Sequence, residues 1–205
     1  MKDISATVIV NLEPTLGKIL EGLQKDARWG IKRAEREGLV VKIVEKNSSE
    51  WDDAWRYFYP IYTETLEKTG VRFETLAHLK DNAVVLILCS REKEIIAGAA
   101  LDIVEGTPKL ARNGSLKEFQ KLQPNNLLYW ECIKWSKNEG YTHLDLGGWQ
   151  INPSVQEKGV NEFKERWGKV VNVEKEYSLY QALGRKIVRR FRWLRSLKKL
   201  MKKLN

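Results

Sequence analysis

Residues 83–115 carry the strongest constraint on the fold. AVVLILCS (83–90) and IIAGAALDIVEG (95–106) are apolar runs joined by the polar turn REKE, and KLARNGS (109–115) follows across Thr107-Pro108. Two runs joined by so short a turn read as an antiparallel hairpin. Strands apolar at nearly every position need cover on both faces. The chain is therefore expected to be built on a sheet with helices above and below it.

The flanking segments supply those helices. Leu16, Ile19, Leu20, Leu23, Ala27, Ile31 and Ala34 share one face of a helix expected over 15–37, with Gly38 as its stop. Trp51, Trp55, Phe58, Tyr62 and Leu66 recur at helical spacing. NNLLYWECIKWSKNEG (125–140) reads as a helix that ends at Gly140 and leads into the strand HLDLGG (143–148). GVNEFKERWG (159–168) is a short helix, and ATVIVNL (6–12), LVVKIVE (39–45) and VVNVEKEYSLYQA (170–182) add strands. The order β-α-β-α-β-β-β-α-β-α-β predicts one α/β domain over residues 1–183, with a mixed, mostly antiparallel sheet.

A chain of 205 residues suits a single core. It has no apolar run of 18 residues to span a membrane, and MKDISATVIVNLEP is no signal peptide. Cys89 and Cys132 sit in apolar and aromatic surroundings that fit a reducing, cytoplasmic compartment. His78 and His143 have no metal-ligand spacing, so no metal or other cofactor is expected, and His143 reads as a surface residue. The net charge of +9 is concentrated in one place. Ten Lys and Arg and no acids occupy 185–205, leaving 26 of the 36 bases against all 27 acids elsewhere. Residues 184–205 read as a basic helix with an apolar stripe of Ile187, Phe191, Leu194, Leu197, Met201 and Leu204. Arg189, Arg190, Arg192, Trp193, Lys198 and Lys199 would face an anionic membrane surface first of all; docking of the stripe on the domain is the second reading and phosphate contact the third.

The chemistry centres on LDLGGWQINPSVQEKGVNEFKERWG (144–168). A strand ending in Gly147-Gly148 lets a ligand or side chain approach its backbone. Lys164, held across the loop, is either a cation placed for whatever approaches the strand end, or, in its bland reading, a solvated lysine. Asp145 shares a strand face with His143 and either accepts a proton or caps a loop. Phe163 and Trp167, at i and i+4, are either ligand contacts or core. Tyr129 on the preceding helix either lines the cleft or is buried. The bases Lys25, Arg28, Lys32, Arg33 and Arg36 form a charged helix face, either solvated and balanced by Asp26, Glu35 and Glu37 or in contact with phosphate.

Three segments resemble the FemABX family of peptidoglycan aminoacyltransferases. LQKDARWGIKRAEREGLVVKI (23–43) matches its Arg-x-x-Ile-x-x-Ala-x-x-x-Gly at Arg28, Ile31, Ala34 and Gly38. PNNLLYWECIKWSKNEGYTHLDLGG (124–148) is similar to its proline-led helix and Asp-x-Gly-Gly strand. GVNEFKERWG resembles its Gly-x-x-x-Phe-Lys-x-x-Phe-Gly, with Trp167 in place of Phe. The resemblance implies a GNAT-like acyltransferase fold, of which this sequence matches only the second of the two domains typical of the family. It further implies an aminoacyl-tRNA donor, an amine acceptor on an envelope precursor that can be lipid-linked, and a place at the inner membrane surface. Phe163 would stack on the terminal adenosine, Lys164 would meet phosphate or stabilise the oxyanion of acyl transfer, and Arg28, as the motif residue, would contact phosphate. A homodimer or partner chain could supply the missing half.

Two other readings stand beside it. Acyl-CoA, or an acyl carrier protein, is the alternative donor; yet the helix expected to receive its pyrophosphate opens with Gln123-Pro124-Asn125-Asn126, which has no glycine loop. A non-catalytic nucleic-acid or membrane-binding module is the third possibility.

Overall fold

The computed structural model describes residues 6–67 and 74–173. The elements run β1 (Ala6–Asn11), α1 (Leu16–Gly22), α2 (Lys25–Arg36), β2 (Leu39–Glu45), α3 (Trp51–Glu67), α4 (Leu76–Asn82), β3 (Ala83–Arg91), β4 (Glu94–Val104) and β5 (Thr107–Ser115). A 3-10 turn, Lys117–Leu122, leads to α5 (Pro124–Asn138), β6 (His143–Trp149), α6 (Val155–Glu165) and β7 (Lys169–Asn172). The strands form one seven-stranded sheet in the order β2-β3-β4-β5-β6-β1-β7. The expected mixed α/β architecture is the one observed.

The central meander pairs as its apolar runs require, β3 with β4 and β4 with β5, both antiparallel. Glu92 takes the turn between β3 and β4 at φ 57°. Every neighbouring pair is antiparallel except β5 and β6, which run parallel and register at Lys109 and Asp145. The discontinuity in strand direction falls there, in the middle of the sheet.

Each face has its own core. Val8, Val10, Val85, Ile87 and Leu101 pack with Ala27, Ile31 and Ala34 of α2 and with Leu128, Cys132 and Ile133 of α5. On the other face Trp51, Trp55, Phe58 and Tyr62 of α3 meet Leu86, Leu88 and Ala100. Trp51 and Trp55 meet edge to face at 5.8 Å between centroids. Both cysteines are free and buried, and burial pushes the Cys89 thiol up to about 12.

Two local expectations need correction. The stretch 15–37 is two helices, because Leu23 and Gln24 are extended, at ψ 152° in both. Tertiary bonds cause the break: the Gln24 N–H donates to Arg166 O at 3.1 Å, and the Gln24 side chain donates to Glu165 O at 3.2 Å. The second correction is α4, a seven-residue helix capped by Thr75, which the sequence reading left out. The second half of the expected strand 170–182, the boundary at 183 and the basic helix from 184 lie outside the described residues.

Candidate functional site

The junction of β5 and β6 gathers four polar groups. Gly147 ends the buried part of β6 at φ 81°, a conformation that costs an L side chain about 1–2 kcal/mol. A Cβ there would also lie 3.3 Å from Leu110 O and 3.5 Å from Lys164 Nζ. The side chain that approaches the Gly147-Gly148 backbone is therefore Lys164 itself. Its ammonium donates to Gly148 O at 2.9 Å.

Lys164 is not the solvated lysine of the bland reading. Burial pushes it down to about 8, Asp145 opposes that shift, and Lys109 adds to it. Helix α6 holds it there. Ser154 and Glu157 form a capping box at the helix start. Asn161, buried, accepts from Gln150 N at 3.0 Å and donates to Gln150 O at 2.8 Å, which ties the incoming loop to the helix.

Asp145 is fully buried. It accepts from the Thr7 hydroxyl, and from the Gly147 N–H at 2.7 Å, so it braces the positive-φ turn. Its other oxygen lies 3.8 Å from Lys109 Nζ, the register partner on β5. Loop capping is thus its visible task, and its carboxyl group also faces Lys109. His143, expected at the surface, is buried instead, because β6 is an interior strand; burial lowers its pKa.

Phe163 and Tyr129 meet edge to face at 5.0 Å, and Tyr129 lies 5.5 Å from Trp167. Tyr129 and Trp167 are core, and Tyr129 also lines the cleft beside Phe163, so both of its readings hold; burial raises the Tyr129 phenol. Phe163 is only half-buried. It lines, with Val160, Asn113, Gln123 and Asn125, a cleft of about 520 Å³ at the start of α5. The Arg166 guanidinium lies 5.8 Å from its ring centroid.

Arg28 is placed elsewhere. Its guanidinium donates to Glu21 O at 2.6 Å and Leu23 O at 2.7 Å, closing the end of α1 at the break that receives α6. It sits with the structure that supports Lys164 rather than in the cleft. Arg189, Arg190, Arg192, Trp193, Lys198 and Lys199 lie outside the described residues. Sequence reasoning missed Lys109 and Asn161, since only strand order and loop closure bring them to the site.

A CoA pyrophosphate would need free backbone N–H groups at the start of α5. Pro124 has none, and those of Asn126 and Leu127 already turn to Gln123 O at 3.1 and 3.5 Å. Gln123 itself stands at φ 66°, its N–H bonded to Gln120 O. The groups present do not fit such a cradle. Among the described residues there is no cluster of metal ligands, and no helix long and apolar enough to cross a membrane.

Comparison with solved structures places this arrangement on a known fold. FemX superposes with a TM-score of 0.68 at 15% identity, covering 82% of this chain and 60% of its own. A C-terminal domain ascribed to a lysylphosphatidylglycerol synthetase of Agrobacterium fabrum gives 0.59 at 16% identity, covering 82% and 58%. L-PGS of Bacillus licheniformis gives 0.54 at 17%, covering 90% and 65%. The chain thus spans less than two thirds of each of these proteins. No curated protein matches in sequence. The family profile described as an acetyltransferase (GNAT) domain matches residues 23–165, from the α1–α2 break to the end of α6. The chain belongs to the GNAT acetyltransferase-domain family.

Proposed function

We propose that the protein transfers an aminoacyl group from aminoacyl-tRNA to an amine on a cell-envelope precursor. The observation that carries this reading is Lys164: a partly desolvated ammonium fixed at the sheet junction, next to a half-exposed aromatic and away from any pyrophosphate cradle. A neutral acceptor amine attacks the ester carbonyl, the C–N bond forms, and the ribose oxygen leaves with the proton the amine gives up. Charge builds on the carbonyl oxygen in between. An ammonium has three donors, and among the described residues Lys164 commits one of them, to Gly148 O. The other two are available to the oxyanion, where one well-placed donor typically contributes about 100- to 1000-fold in rate. Phe163 offers a face to the terminal adenine, for which stacking contributes about 1–3 kcal/mol. One neighbour on this fold is ascribed to a lysylphosphatidylglycerol synthetase, a name that denotes an aminoacylated lipid and agrees with a lipid-linked acceptor.

The family description favours acetyl-CoA as the competing donor. Thermal melting separates the two. A ligand at a hundred times its dissociation constant stabilises by about 2.7 kcal/mol, several degrees in melting temperature for a chain of this size. We expect no saturable shift with acetyl-CoA, and transfer of a labelled amino acid from tRNA to an amine acceptor. A saturable acetyl-CoA shift with no tRNA-dependent transfer would replace this reading with the second one.

A further inference from the structure

Past the last turn of α6, the α1–α2 break and the start of β7 enclose a recess of about 510 Å³. Its floor is apolar, formed by Ile9, Ile19 and Trp167. Its rim carries three cations, Lys18, Arg166 and Lys169. Among the described residues none of the three has an ion-pair partner, and Lys18 and Lys169 are exposed. The one acid in the lining, Glu165, accepts from Trp149 Nε1 at 2.6 Å. Arg166 belongs to both places: it lines the recess and leans over Phe163.

We infer that this recess holds backbone phosphates of the RNA strand whose 3′ end reaches Phe163 and Lys164. The inference rests on the aminoacyl-tRNA reading. Three cations around a concavity fit successive phosphates of a strand, with Arg166 able to take one through two parallel hydrogen bonds. A bilayer presents a plane, which cations set around a recess fit poorly. The recess and the acyl site would then be two parts of one track, joined at Arg166.

The test uses Lys18→Ala/Lys169→Ala, at exposed positions, with Lys93→Ala on the β3–β4 turn as control. Binding of a labelled acceptor-stem microhelix is followed against salt, and transfer is measured from aminoacyl-tRNA and from aminoacyl-adenosine. We expect the double variant to bind the microhelix about tenfold more weakly at low salt. Its log–log salt slope should fall by between one and two, since each lost phosphate contact removes about one. Transfer from aminoacyl-adenosine should match the wild type and the control, while transfer from aminoacyl-tRNA falls. An unchanged affinity and slope would overturn the inference. So would loss of sedimentation with phosphatidylglycerol vesicles while microhelix binding persists, which would assign the recess to a membrane. If neither donor reacts with any variant, the proposed function fails, and microhelix binding still decides the recess.

Discussion

The Lys164 ammonium and the Gly148 carbonyl are joined by a 2.9 Å hydrogen bond across the loop that separates β6 from α6. That bond fixes a cation where the sheet changes direction, and burial moves its titration to about 8. The sign of the consequence differs for activity and stability. An oxyanion needs the charged form, so transfer should decline as pH rises through about 8. Between there and the ordinary lysine value of 10.5, the unfolded chain holds a proton that the folded chain has released, so stability should rise with pH over that window. Pairing a pH–rate profile with melting curves checks both. In Lys164→Met the alkaline limb and the stability rise should vanish together, transfer should drop by about 100-fold or more, and the fold should persist.

Gly147→Ala tests the close approach. The substitution places a methyl group 3.3 Å from Leu110 O and 3.5 Å from Lys164 Nζ at a positive φ. Backbone strain alone should lower stability by about 1–2 kcal/mol. Because the methyl also presses on Lys164, transfer should fall further than the melting temperature explains at assay conditions where the protein is fully folded. A variant that melts lower yet transfers at the wild-type rate would detach Gly147 from the site.

Asp145 separates bracing from proton transfer. Asparagine keeps an acceptor for the Gly147 N–H but loses the charge that raises the Lys164 pKa. Asp145→Asn should therefore retain most of the rate at pH 7 or below and shift the alkaline limb to lower pH. Were Asp145 the base, the rate would collapse by orders of magnitude at every pH. Near-neutral profiles of the two proteins distinguish these outcomes.

How far the sequence revealed all this depends on where each contact comes from. The β3–β4–β5 meander was legible from continuous apolar runs joined by short turns, α3 from aromatics at helical spacing, and α5 from its length and its stop at Gly140. The break at Leu23-Gln24 was not legible: the helical stripe runs straight through it, and the interruption is made by Arg166, 142 positions from Gln24, accepting its N–H. The segment containing Gly147 and Lys164 stood out as a strand end facing a short helix. That Asp145 registers against Lys109 was hidden, since the parallel pairing of β5 and β6 has no local signature. His143 looked polar and therefore exposed, yet an interior strand buries whatever it carries.

Arg28 shows how a residue in a family-like motif can act from a distance. Its two bonds to Glu21 O and Leu23 O hold the break that in turn accepts the end of α6. Arg28→Ala should cost about 1–3 kcal/mol in stability. It should also lower kcat through a loosened Lys164, with microhelix affinity unchanged. Both bonds leave from one guanidinium nitrogen, Nη1, so a lysine ammonium placed there can make both, and Arg28→Lys should rescue most of the loss. Reduced RNA affinity at wild-type stability would return Arg28 to the phosphate contacts.

The last prediction concerns residues 185–205, whose ten bases leave the rest of the chain near neutral. Their apolar positions, Ile187, Phe191, Leu194, Leu197, Met201 and Leu204, repeat as one helical stripe, with Trp193 among the bases. Phosphate binding needs the charge but not so continuous a stripe; an anionic bilayer uses both, and each base near its surface contributes about 1 kcal/mol. A lipid-linked acceptor would be found at that surface. Deleting 185–205 should leave a folded protein that no longer sediments with phosphatidylglycerol vesicles and still transfers to a soluble amine. Salt should weaken sedimentation of the full chain without abolishing it, because the stripe remains. If the full chain ignores vesicles at low salt, the tail is no membrane element. Unfolding of the truncated protein would instead make the stripe part of the core.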